Sequence, residues 1–155
     1  MLMDANSILR VPVPPAVLRY PGASADFTQI WQDLITGQYL TNILYDGEGV
    51  PSGTDFDKSV ILCARVDSGD GAGKWRLPSG AELCGPGYAS GSCDGGFYAH
   101  ELKNVTFAGD DWAGHFWSSS LVVTDPSGAW IPNLFDGSDH YMNKTGTSAK
   151  VLCVR

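Results

Sequence analysis

His115-Phe116-Trp117-Ser118-Ser119-Ser120, Ala129-Trp130-Ile131-Pro132-Asn133-Leu134-Phe135-Asp136-Gly137 and Lys150-Val151-Leu152-Cys153-Val154-Arg155 are three short runs in the stretch 114–155. Each is aromatic or β-branched and bounded by Gly, Asp, Asn or Ser, as strands between tight turns are. They predict a core sheet with the rest of the chain packed around it. The loops between its strands become the expected working surface. A terminal strand frays unless something ties it down, and a disulfide at Cys153 would do that.

Outward from that region, composition narrows the class. The 155 residues are 43% hydrophobic but only 17% charged, with 19 glycines and 9 prolines. That balance predicts one loop-rich α+β domain over residues 24–155. Residues 1–23, with Val11-Pro12-Val13-Pro14-Pro15 and Pro21-Gly22, read as an extended arm or a truncated remnant. A net charge of −7 repels phosphate backbones, and no Lys/Arg cluster opposes it, so nucleic acid is not an expected partner. No stretch approaches the roughly 20 apolar residues that span a bilayer.

The four cysteines, Cys63, Cys84, Cys93 and Cys153, lack the spacing of a zinc site. An even count in a Gly-rich, low-charge chain points to disulfides and an extracellular or cell-surface location. Three pairings are possible. Cys84–Cys93, closing a Gly/Pro-rich loop, and Cys63–Cys153, stapling the C-terminal strand to mid-chain, are the favoured ones. The first residues lack a basic start and an apolar run, so Met1 is not expected to be the natural start of an exported protein.

Elsewhere the pattern is mixed. Phe27, Ile30, Trp31, Leu34 and Ile35 fall on one helical face behind an Asp26 that can cap it, which predicts a helix over 26–36. Residues 39–45 read as a short strand. Residues 59–66 read as a buried strand, a short helix being the alternative. Ser79 and Glu82 have capping-box spacing and predict a second short helix, halted at Cys84-Gly85-Pro86-Gly87. Asp67–Gly73 is a Gly/Asp turn cluster without the spacing or closing Glu of a calcium loop.

Trp75-Arg76-Leu77-Pro78-Ser79-x-x-Glu82-Leu83, then Phe116–Ser120, then Ala129–Gly137, then Val151–Arg155, form an ordered set of four motifs. The set resembles the bacterial Trp-Arg-Leu-Pro surface-domain family, typified by the C-terminal domain of a collagen-like adhesin. The resemblance implies a C-type-lectin-like fold with two short helices and small antiparallel sheets. It also implies extracytoplasmic adhesion or ligand binding without catalysis. In that family a cysteine ahead of the Trp-Arg-Leu-Pro motif often accompanies the terminal one, which agrees with Cys63–Cys153. Calcium-dependent sugar binders of the lectin superfamily use Glu-Pro-Asn or Gln-Pro-Asp with Trp-Asn-Asp. Here Ile131-Pro132-Asn133 stands alone, so that sugar site does not carry over. Residues 20–40, with Tyr20-Pro21-Gly22 ahead of Ile30-Trp31-Gln32-Asp33-Leu34, more weakly resemble the stretch after the long helix of a type IV minor pilin. A pilus subunit head and a phage receptor-binding tip are therefore the alternatives.

The expected binding residues are Trp112, Asp136, Asp139, His140, Tyr141 and Asn143. They combine carboxylates, an aromatic platform and an amide, which suits a glycan or a surface receptor. Asp110/Asp111, or Asp136/Asp139, offer oxygens for Ca²⁺, although two carboxylates fall short of the six to eight ligands it takes. Ser118–Ser120 beside His115 lack a nucleophile elbow, and those serines are expected to satisfy hydrogen bonds around Trp117. No catalytic residue is assigned. Trp75, Trp117 and Trp130 are expected in the core.

Overall fold

Residues 149–154 run between two packed clusters of side chains, and all of them but Lys150 are buried. Leu152 and Val154 turn to one cluster, with Trp31, Leu40, Leu83, Phe97, Phe116 and Leu134. Ala149, Val151 and Cys153 turn to the other, with Leu62, Trp75, Leu77, Trp117 and Ile131. This alternation is the period of extended chain. The computed structural model describes residues 8–11, 18–19, 30–41, 54–68, 71–100 and 114–155.

The strands are β1 (Ile8–Val11), β2 (Leu18–Arg19), β3 (Ile30–Asp33), β4 (Tyr39–Thr41), β5 (Asp67–Ser68), β6 (Leu121–Val122), β7 (Asp125–Pro132) and β8 (Asp139–Asn143). The helices are α1 (Phe56–Arg65), α2 (Gly80–Cys84) and α3 (Gly96–Ala99), with a 3₁₀ turn at Tyr88–Ser90. Two antiparallel three-stranded sheets, in the orders β1-β3-β4 and β6-β7-β8, are accompanied by a two-stranded β2-β5 ladder. The architecture is a small α+β one. Both described pieces of the proline-rich lead-in are paired strands, β1 and β2. No helix among the described residues is long and apolar enough to cross a membrane.

The terminal run joins the sheets by paired backbone bonds rather than as a full strand. Tyr39 and Arg155 exchange both amide bonds, and so do Arg76 and Val154. Lys150 and Trp117 extend the connection, Trp117 N donating to Lys150 O at 3.0 Å. Both favoured disulfides are present, Cys63–Cys153 and Cys84–Cys93, and no described cysteine is free.

Two expected elements differ. The helix expected over 26–36 is, where described, strand β3 followed by a turn at Leu34–Thr36. Ile35, on the supposed apolar face, is 60% exposed. What decides the strand is partners on both sides: Trp31 pairs with Arg10 and with Leu40. The buried Asp33 carboxylate then ends it, accepting from the Ile35 amide at 2.9 Å and contacting His100 Nδ1. Gly37, at φ 77°, supplies the left-handed residue of the turn. Conversely, residues 59–65, read as a buried strand, belong to α1. Asp55 caps it by accepting from Lys58 N at 2.8 Å. Ser59, Leu62 and Cys63 are buried at i, i+3 and i+4, while Val60 and Ile61 face outward.

The expected capping box is formed. Ser79 Oγ accepts from Glu82 N, and Glu82 returns the bond by accepting from Ser79 N at 2.8 Å. Arg76 grips the same carboxylate with two nitrogens, at 2.6 and 2.9 Å. Burial pushes Glu82 up, but bonds from Arg76, the Ser79 amide and Gln38 outweigh it and hold the group down at about 2. A lowered carboxylate stabilises the fold at neutral pH and loses that contribution as pH falls from about 4.5 through 2. Glu82→Ala should therefore cost about 1–2 kcal/mol in urea unfolding at pH 7, and much less near pH 2.

Candidate functional site

On the β7-β8 hairpin, Trp130 pairs with Tyr141 and Pro132 with Asp139, so these side chains share one face. The opposite face carries Ala129, Ile131 and Met142 into or against the core. The outer face does not meet open solvent along its whole length. The Cys84–Cys93 loop folds over one end of it. Asp139 N donates to Gly91 O at 3.1 Å, Cys93 N donates to Gly137 O at 2.7 Å, and Ser92 bridges Ser138. Gly137 permits this approach. It sits at φ 77°, and a Cβ there would lie 2.6 Å from the Tyr98 ring.

Between the loop and the hairpin lies a cleft of about 340 Å³, lined by Ala89, Ser90, Gly91, Trp130, Asp139, His140 and Tyr141. Its aromatic wall is ordered by edge-to-face contacts. Trp130 meets Tyr141 at 5.4 Å on one side and Tyr88 at 6.1 Å on the other. Tyr141 remains 57% exposed. His140 lies at the rim, with its ring 5.6 Å from that of His115.

Asp139 is the unusual member. It is 3% exposed, and its Oδ1 has no hydrogen-bond partner among the described residues. Its Oδ2 lies 3.9 Å from Cys84 Sγ. A disulfide sulfur carries no hydrogen, so it offers a carboxylate nothing; only the protonated acid can donate across that contact. Burial pushes Asp139 up to about 7, partly offset by the His140 amide. A carboxyl raised in the folded state contributes stability that is complete below about pH 4 and is lost as pH rises through about 7. Wild-type protein should therefore lose on the order of 1–3 kcal/mol of this component between pH 5 and pH 8.5. Asp139→Asn should flatten that part of the melting profile. An identical pH dependence in the two proteins would show that Asp139 ionises normally.

The other expected site residues separate. Asp136 is a turn residue: its Oδ1 accepts from the Ser138 amide at 2.8 Å and hydroxyl at 2.7 Å, bonds that hold its carboxyl below the usual range. Asn143 does the same for Thr145 at the far end of β8. Asp136 is engaged in its own turn and Asp139 is buried, and no cluster of three or more metal-binding side chains occurs among the described residues. Trp112, Asp110 and Asp111 lie outside the described residues. Ser118 and Ser120 take the expected hydrogen-bonding roles: Ser118 Oγ donates to Trp130 O at 2.7 Å, and Ser120 Oγ accepts from Gly80 N at 2.9 Å.

Trp130, expected in the core, is instead half-buried in the cleft wall, because the strand register turns it away from Ile131. Tyr88, Ser90 and Gly91 belong to the site although the sequence reading does not include them. The signal that could have found them is the disulfide loop itself, where Tyr88 is the single aromatic residue between Cys84 and Cys93. Comparison with protein-family models, curated proteins and solved structures gives no match for this chain.

Proposed function

We propose that this chain is an extracytoplasmic adhesin or receptor-binding domain of C-type-lectin-like fold that holds a glycan in the Trp130–Tyr141 cleft. One observation carries the reading: an exposed aromatic wall stands beside a buried carboxyl oxygen that the described residues leave without a partner. Rings of this kind cover the apolar side of a sugar, and a lone acceptor takes one of its donors. Concave, mostly apolar sites with a few placed polar groups are the usual form of a ligand site. The two disulfides suit an oxidising, extracellular setting. The four motifs of the Trp-Arg-Leu-Pro resemblance support the fold assignment by meeting in one framework. Pro78 O accepts from Ser119 N, Gly80 N donates to Ser120 Oγ, Ser118 N donates to Trp130 O, and Arg76 pairs with Val154.

The test is a glycan array followed by titration of any hit. Tyr141→Ala should weaken binding about tenfold, or ~1.4 kcal/mol, with little effect on the melt because the ring is largely exposed. An array without signal, together with co-purification of the domain with pilus or phage filaments, would replace this reading with that of a structural subunit.

A further inference from the structure

We infer that the cleft selects a ligand carrying a free, protonated amino group, an amino sugar without its N-acetyl cap, with the ammonium placed between Asp139 and the Trp130–Tyr141 pair. This rests on the glycan reading of the same cleft and specifies its chemistry.

Three features combine. The first is the orphaned acceptor. Asp139 Oδ1 is buried in a cleft-lining residue, and no donor among the described residues hydrogen-bonds it. Burial disfavours its charged form, and the His140 amide offsets that only in part. A neutral hydroxyl would fill one bond. An ammonium would fill that bond and also restore the charged form. The second is the ring arrangement. Trp130 makes edge-to-face contacts with Tyr88 and Tyr141, and the rings of Trp130 and Tyr141 line the cleft together with Asp139. Aromatic faces beside a carboxylate attract ammonium groups through the ring quadrupole. The third is the sign of the lining. Among the described residues no lysine or arginine lines the cleft, and the chain as a whole carries −7. A sulfated or carboxylated sugar would meet no counter-charge from them, whereas an amine would be drawn in.

The step is a binding step, with one proton balanced. A neutral Asp139 releases its proton to buffer as the ammonium arrives; an ionised one simply pairs.

The experiment titrates the protein near pH 7 with three oligosaccharides of equal length: glucosamine, N-acetylglucosamine and glucose. Tryptophan fluorescence and calorimetry read the affinities. The glucosamine oligomer should bind at least about tenfold more tightly than the other two. Asp139→Asn should abolish that preference, so that the glucosamine oligomer binds no more tightly than the other two. Non-specific attraction to the acidic surface would survive the substitution, so persistence of the preference overturns the inference. If Asp139→Asn fails to fold, Tyr141→Ala serves instead, since its ring is exposed; it should shrink the preference for the glucosamine oligomer over the glucose oligomer, and an undiminished preference overturns the inference. Equal binding of all three oligomers sinks the amine assignment but leaves the glycan reading standing. Absence of binding by any of them counts against both. Binding of a lysine tetrapeptide in place of the glucosamine oligomer overturns the sugar part of the inference.

Discussion

Replacing Cys63 and Cys153 together with alanine should lower the unfolding free energy by about 4–5 kcal/mol. The bridge spans 90 residues of sequence. Its removal frees a long loop in the unfolded chain, and the entropy regained there grows with loop length. The native state loses too. Cys63 sits on the buried face of α1, and Cys153 lies in the segment that separates the two core clusters. Cys153 N also donates to Thr41 Oγ1 at 3.0 Å, so fraying of this point would loosen β4. Domains of this size are stable by about 5–15 kcal/mol, so such a loss would remove from roughly a third to nearly all of that stability. Urea melts of the double variant give the number directly. A change below about 1 kcal/mol would mean that backbone pairing alone anchors the terminus. The shorter Cys84–Cys93 bridge closes a sequence separation of only 9 and should contribute about 2–3 kcal/mol by the same reasoning.

Trp117→Ala should cost about 3–5 kcal/mol. Trp117 has no exposed surface, and Phe56 packs edge-on against it at 5.6 Å. Its Nε1 donates to Thr54 O at 2.5 Å, which ties the entry of α1 to the core. Lys144 lies over the Phe56 ring, 5.1 Å from its centre. Truncation would thus remove the largest fully buried side chain among the described residues and release the N-terminal turn of α1 at once. Trp117→Phe separates the two contributions. It retains most of the volume but leaves Thr54 O without this donor, and should cost about 1–3 kcal/mol. If the two variants were equally destabilised, the hydrogen bond would outweigh packing as the source of stability here.

Local chemistry was legible where the interacting residues are close in sequence. The Ser79–Glu82 box, the Cys84–Cys93 loop and the Asp136 turn depend on partners within a few residues. The misread elements depended on distant ones. The spacing of Ile30, Trp31, Leu34 and Ile35 suits a helix, yet β1 and β4 offer a ladder on both sides and the strand wins. Val60-Ile61-Leu62-Cys63 has strand-like composition, yet the Asp55 cap and the disulfide to Cys153 favour a helix that turns Val60 and Ile61 outward.

Residue types and their spacing were enough for the disulfide-stapled α+β class and the burial of the C-terminal run, and they single out Asp139, His140 and Tyr141 as candidates. Short apolar runs between turns and short-range pairings suffice for those. Three-dimensional packing alone brings the three residues into a cleft. Its other wall comes from Ala89–Gly91, and the contact between Cys84 and Asp139 spans 55 residues of sequence. Packing also sets the two aspartates apart. Asp136 and Asp139 are the same residue type three positions apart, but one faces its own turn and the other is buried beside a sulfur that cannot donate. That difference is one of solvation and available partners, and neither is encoded in residue type or spacing.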